Sequence, residues 1–506
     1  MTRSLYEICR TKVFGLLKNE FWNSCPENPF SSFPSTIIHD LVSYIINFQS
    51  SHVFRAADLQ LLLASGRVLR FEINNIKVND ELIPILQFLL PCKDLQTLRL
   101  TDVGEFSTRT TEQLEKLLSV CTDLEDLHCS VVFDLKALRK CSKLRYIRLH
   151  FTPKQPFYEF LQTTGTCRKP QKYLKVFTIC KDLAFFIPHG YITELLVHCP
   201  NLHSLGYIDV SAALEYLHGS AVELGSVPQP YQLRSCFWGG DVCSRNRYCG
   251  KFQDSLQRCW PFFPFAVKVA VLSCPLLEEL VIEVTQQCYV DAIIYLNVLT
   301  NLTYLEIDVE DYICNFRPEL YCLLDRIGPQ LKHLAILKFD NVEFDAIFKN
   351  CPNLESLKVD CESVVSDWVE TIGDLPNLRR LSFFCRDGDD RKSIQLALSK
   401  CFFLEELFLK NAAFLNDSCV ANISEQNPLE KLELVCISHC AVTKRGLKMF
   451  VNGATKLEKI CFDSYKLSDE DTIEVLRAKN PKMIIYPEYD ILLDHEFFYR
   501  NRYFCQ

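Results

Sequence analysis

CPNLESLKVD, residues 351–360, is the phrase from which the rest of the chain is built. A Cys opens it, and Leu354, Leu357 and Val359 follow at offsets three, six and eight. Variants read CKDLQTLRL from Cys92, CTDLEDLHC from Cys121, CSKLRYIRL from Cys141 and CPNLHSLGYI from Cys199. Others are CPLLEELVIE from Cys274, LTNLTYLEID from Leu299, LPNLRRLSFF from Leu375 and CFFLEELFLK from Cys401. With weaker copies added, the starts fall at 65, 92, 121, 141, 171, 199, 230, 274, 299, 328, 351, 375, 401, 426, 454 and 480. Apart from the gap after 230, the intervals stay between 20 and 31 residues, too regular for coincidence. The closing LxL alternates inward and outward, which marks a short strand with one buried face.

A period in that range resembles leucine-rich repeats, each a strand followed by a return helix. The resemblance implies an α/β solenoid of roughly fifteen repeats, a horseshoe with parallel strands on the concave face and helices outside. Segments such as Lys392–Lys400 and Phe344–Lys349 are expected to be outer helices. The solenoid is expected over 51–490, with an insertion at 239–265 and a tail at 491–506.

Composition excludes several classes. Net charge of −8 argues against broad nucleic-acid binding, which needs a basic footprint. The longest apolar stretch, Pro261–Leu277, contains Lys268 and prolines, so no membrane span is expected. Many of the 26 cysteines share one phase of the repeat, where a small buried hydrophobe packs. The N-terminus has no signal-peptide core, so a reducing compartment, cytoplasm or nucleus, is expected.

No phosphate-cradling glycine loop, GxSxG or HExxH occurs, so the chain reads as a non-enzyme without cofactor. Cys236, Cys243, Cys249 and Cys259 have no close pair, and Cys436, His439 and Cys440 offer three ligands at most. Neither set reads as a metal site.

Residues 1–50 do not share the period and form a separate module. Leu5, Ile8, Cys9, Val13 and Leu16 follow a helical rhythm, and Phe33-Pro34 leads a second helix with a strongly apolar face. Ser4–Val13 (SLYEICRTKV) resembles the elongin-C-binding box, with Leu5, Cys9 and Val13 in its three marked places. FPSTII (Phe33–Ile38) looks like the cullin-selecting half of the same box. This arrangement ahead of leucine-rich repeats is similar to substrate receptors of elongin BC–cullin ubiquitin ligases, the PRAME-like type among them. The resemblance implies that Leu5 enters a pocket on elongin C, that Cys9 admits close backbone approach, and that Phe33, Pro34, Ile37 and Ile38 face the cullin. FPSTIIHDLVSYI also resembles the opening of an F-box, which implies a Skp-type adaptor, though the Trp of its third helix is missing from Phe48–Arg67. The plain alternative is a hydrophobic cap closing the first repeat of a binding scaffold or inhibitor.

A protein substrate is expected on the concave face. The outward positions there are Tyr146 and Arg148, then Glu279 and Glu283, then Tyr304, Glu306 and Asp308, then Arg380, Phe384 and Phe408. The four acids beside Tyr304 suit a basic segment, and the two phenylalanines suit an apolar one.

Overall fold

A computed structural model describes residues 4–22, 24–49, 55–74, 79–101, 107–150, 172–179, 189–239, 263–284, 290–309, 317–364, 375–386, 391–411, 415–462, 473–474, 476–477 and 480–487. The expected insertion from Gly240 to Phe262 and the tail 491–506 lie outside the described residues, as do Cys243, Cys249 and Cys259.

The chain forms two compact units, residues 1–208 with 231–233, and residues 209–230 with 234–506. Both are built of leucine-rich repeats of the solenoid type. The first carries β1 Arg70–Asn74, β2 Thr97–Thr101, β3 Asp126–Cys129, β4 Tyr146–Leu149, β5 Val176–Ile179 and β6 Ser204–Asp209, paired in parallel in chain order. The second carries β7 Ser235–Gly239, β8 Glu279–Val284, β9 Tyr304–Val309, β10 His333–Val342 and β11 Ser356–Val364. Then come β12 Arg380–Cys385, β13 Glu406–Lys410, β14 Leu434–Ser438, β15 Lys459–Phe462 and β16 Ile484–Pro487, again parallel and in order.

Sequence phase sets this register. Strands β1 to β13 each begin five residues after a phrase start, so equivalent residues lie side by side. Leu357 pairs in register with Leu334 and Leu381, and Val359 with Ile336 and Phe383, all buried. Helices return the chain between strands; the expected ones appear as Phe344–Asn350 and Arg391–Lys400. Side chains cap some of the helix starts. Asn416 accepts from the Cys419 amide and Thr443 from the Arg445 amide.

The cysteine phase forms a buried row. In the first unit, Cys92 Sγ donates to the Leu63 carbonyl, Cys121 to that of Cys92, and Cys141 to that of Cys121, at 3.2, 3.7 and 3.2 Å. Each thiol thus reaches a carbonyl of the preceding repeat. Burial pushes the Cys121, Cys141, Cys199 and Cys351 thiols up to about 12, as expected of inert packing residues. Asn353 and Asn427 tie repeats together in the same manner, donating to the Pro329 and Leu398 carbonyls at 2.8 Å. Gly328 stands where other repeats begin with Cys or Leu, because a Cβ there would meet the Asn350 carbonyl at 2.5 Å and Cys351 Sγ at 2.8 Å.

Candidate functional site

Two helices precede the repeats, α1 Leu5–Lys18 and α2 Ser35–Gln49, both within the first unit. A capping box starts α1. Ser4 Oγ accepts from the Glu7 amide, and Glu7 reaches back to the Ser4 amide. The face that α1 lays on the protein is not its aliphatic stripe. Phe14 and Leu17 are buried, Phe14 lies edge-on to Tyr44 at 6.0 Å, and the Arg10 guanidinium sits 4.2 Å from the Tyr44 ring centroid. Tyr6 donates to Asp40 at 2.6 Å, and the Thr11 and Tyr44 hydroxyls lie 3.2 Å apart.

That orientation leaves the stripe outside. Leu5 is 77% exposed and Ile8 51%, Cys9 is exposed, and Val13 is half-buried. Leaving a leucine in water forgoes about 2 kcal/mol of burial, and no described residue covers Leu5. The second segment divides. Phe33, Pro34 and Ile37 are exposed, whereas Ile38 is fully buried with Leu41, Val42 and Ile45. The expectation that Ile38 faces a cullin is therefore corrected. It lies one residue round the helix from Ile37, and the i, i+3, i+4, i+7 spacing puts it on the core side of α2. So α2 acts as the cap, and α1 rides on it with its aliphatic side turned out.

The strand face opposite the helices is more crowded than its alternation predicts. Neighbouring strands lie only ~4.8 Å apart, so equivalent side chains stack into rows and shield one another. Tyr304, Asp308, Glu283, Arg148 and Phe408 are all buried, while Tyr146, Glu279, Glu306, Arg380 and Phe384 are half-buried. The expected open apolar patch at Phe408 is corrected. It packs with Cys436, Cys461 and Leu434 in a small cluster. Phe384 lies under the Lys410 ammonium at 5.5 Å, and Arg380 pairs with Glu406 at 3.4 Å.

In the second unit, Glu306 and Asp308 have partners among the described residues. Tyr304 donates to Glu306 at 2.6 Å, and Lys338 pairs with Asp308 at 2.7 Å. Sequence reading missed Lys338. It sits at φ +63° where the β10–β11 register slips between Leu337 and Phe339, a bulge that re-aims its side chain. The signal was the broken alternation of AILKFD. Burial pushes the Glu279 carboxyl up to about 7. With Glu283 and Asp308 buried and Glu279 and Glu306 half-buried, the four acids do not form an exposed acidic trough.

Among the described residues no group of His, Cys, Asp and Glu is placed to hold a metal ion, and Cys236 is core. Among them, too, no helix is long and apolar enough to cross a membrane.

No protein-family model matches the chain, and neither does any curated protein. Solved structures similar to it include the complex of Rad7 and Elc1 from yeast, with a TM-score of 0.41 and 14% identity over 92% of this chain and 94% of that one. Another is the leucine-rich repeat-containing protein LegL7 from Legionella pneumophila, with a TM-score of 0.34 and 10% identity over 66% of this chain and 98% of that one.

Proposed function

We propose that the chain is a non-enzymatic substrate-recognition subunit of a cullin ubiquitin ligase in the cytoplasm or nucleus. In this reading α1 docks on elongin C, and the strand face holds a protein target near the ligase's catalytic partner, raising its effective concentration there. One observation carries the reading. The residues that match the elongin box, Leu5 and Cys9, are turned to water by a helix that is anchored through its other side. An exposed leucine projecting from a pinned helix suits a pocket on a partner, as buried apolar anchors dominate interfaces. Phe33, Pro34 and Ile37 form the second, cullin-facing contact.

The test is capture of recombinant elongin B/C and, separately, of a Skp-type adaptor by the purified chain. Wild type is expected to retain elongin B/C. Leu5→Ala with Cys9→Lys is expected to weaken capture by about thirtyfold or more, a loss of about 2 kcal/mol. Capture of the Skp-type adaptor instead, lost on changing Pro34 and Ile37, would move the chain to the F-box receptors. Retention of neither would leave a scaffold or inhibitor whose N-terminal helices only cap the repeats.

A further inference from the structure

The strand face of the first unit holds a positive charge that its own side chains leave unanswered. In register across β1 to β5 stand Glu72, Arg99, His128, Arg148 and Thr178. The row starts compensated, with Arg99 paired to Asp126 at 2.6 Å and to Glu72 at 3.6 Å. It ends otherwise. Arg148 is only 6% exposed, its Nε has no hydrogen-bond partner, and it forms no ion pair with any described carboxylate. The ring of Tyr146, 6.0 Å from its guanidinium carbon, is the contact it has. Its neighbours Ile147 and Leu149 point into the core, so the guanidinium belongs to the opposite, partner-facing side.

The surroundings are donors. Thr178 on the next strand is 6% exposed, and its hydroxyl has no partner. Beyond it lies Gly206 at φ +56°, where a Cβ would come within 2.5 Å of Thr178 Cγ2, so no side chain intrudes from that side. On the near side His128 Nε2 lies 2.6 Å from His150 Nε2, with the rings stacked at 4.8 Å. Burial chiefly, with smaller contributions from His150, Arg148 and Arg99, pushes His128 down to about 3, so its ring adds no charge of its own at neutral pH.

A buried guanidinium without an anion is costly, and so is an orphaned hydroxyl beside it. We propose that Arg148 and Thr178, beside the His128–His150 pair, bind a phosphate group carried on a serine or threonine of the bound target. Donor number selects phosphate. A carboxylate is satisfied by one bidentate guanidinium, whereas a phosphate monoester brings three acceptor oxygens and nearly two charges. The third oxygen is left for the Thr178 hydroxyl, which stands in register beside Arg148. That the phosphate arrives on a target rests on the receptor reading above; that the site takes phosphate does not.

The test uses the purified full chain with three probes: inorganic phosphate, a degenerate phosphoserine/phosphothreonine peptide library, and the same library with Glu at the modified position. Phosphate is expected to raise Tm, and the phosphorylated library to bind at least tenfold more tightly than the Glu library. Arg148→Met is expected to abolish both effects while the unliganded Tm stays level or rises, since an unpaired buried charge is removed. A merely structural arginine would lower it. Thr178→Val, a smaller change, is expected to lose about tenfold in affinity and serves if Arg148→Met does not fold. Phosphate affinity undiminished in either folded variant, or no response to phosphate in wild type, overturns the site. Response to inorganic phosphate with no preference for the phosphorylated library overturns the target-borne assignment. Elongin capture by Arg148→Met is measured alongside. Absence of elongin capture by wild type would remove the receptor reading independently of the phosphate result.

Discussion

Two helices side by side, α1 and α2, carry apolar stripes of the same period and turn them in opposite directions. In α2, Ile38, Leu41, Val42 and Ile45 are buried, while Leu5, Ile8 and Cys9 of α1 face water. Periodicity establishes that a helix has an apolar side but not which way that side faces. What decides it is the opposite side. On α2 the aliphatic side is the buried one, and Asp40 and Tyr44 on another side meet α1. On α1 Arg10, Phe14 and Leu17, helped by Tyr6 and Thr11, grip α2 well enough to release the aliphatic side. In the proposed reading, the stripe that this anchor leaves outside is the surface offered to elongin C.

Thiol chemistry separates the two conditions by the widest margin. Cys9 on the outward stripe is exposed, as are Cys25 and Cys322. Cys121 is buried, and its thiol is pushed up to about 12, so roughly one molecule in 10⁵ carries the thiolate at neutral pH. A maleimide pulse on the native chain, read by peptide mass spectrometry, is expected to label Cys9, Cys25 and Cys322, the exposed ones among the described residues. Cys121, Cys141 and Cys199 should react only after denaturation. Protection of Cys9 while Cys25 and Cys322 react would mean that the stripe is covered by the chain itself. Adding elongin B/C should then confer that protection on wild type and leave Cys25 and Cys322 reactive.

Truncation sharpens the contrast energetically. Ile38→Ala removes a fully buried side chain and is expected to cost about 2–4 kcal/mol. Leu5→Ala, at 77% exposure, should shift stability by no more than about 0.5 kcal/mol. Urea denaturation checks the global value, with hydrogen exchange on α1 and α2 to catch local loosening. Equal costs for the two substitutions would break the comparison.

The repeats were almost fully legible because a ten-residue phrase repeated in phase fixes both strand position and register. Only the copies at Gln426 and Asn480 strayed. The repeat placed at Gln426 begins at Leu429, which takes φ +54°, and β14 follows from Leu434. The aliphatic stripe of α1 and the apolar side of α2 were also legible. Which residues the strand face leaves accessible was not. Alternation marks Phe408 as outward, and it is outward, yet Cys436 and Cys461 in the same row cover it. Sideways shielding depends on which residue the next repeat puts in the same register, information that sits some 25 residues away. Arg148 was identified as an outward residue, but its burial without an ion pair emerges only once the rows are assembled.

Glu279 stands between the two conditions that α1 and α2 represent, an outward position half-covered by its row, and it tests how dry that row is. Its carboxyl is ordinarily near 4.5 and is pushed up to about 7, chiefly by burial. A raised carboxyl favours the fold while protonated, so its contribution is fully present below about 4.5 and is lost as pH rises through about 7. Glu279→Gln mimics the protonated form and escapes that loss. The variant is expected to match wild type near pH 4 and to gain over it as pH rises, levelling above pH 8. The plateau should be only about 1 kcal/mol, since a partly solvated group is screened. Stability curves that run parallel at every pH would show water reaching the carboxylate freely. The strand face would then be wetter than its packing implies, and the distinction between exposed helix stripe and shielded sheet rows would weaken accordingly.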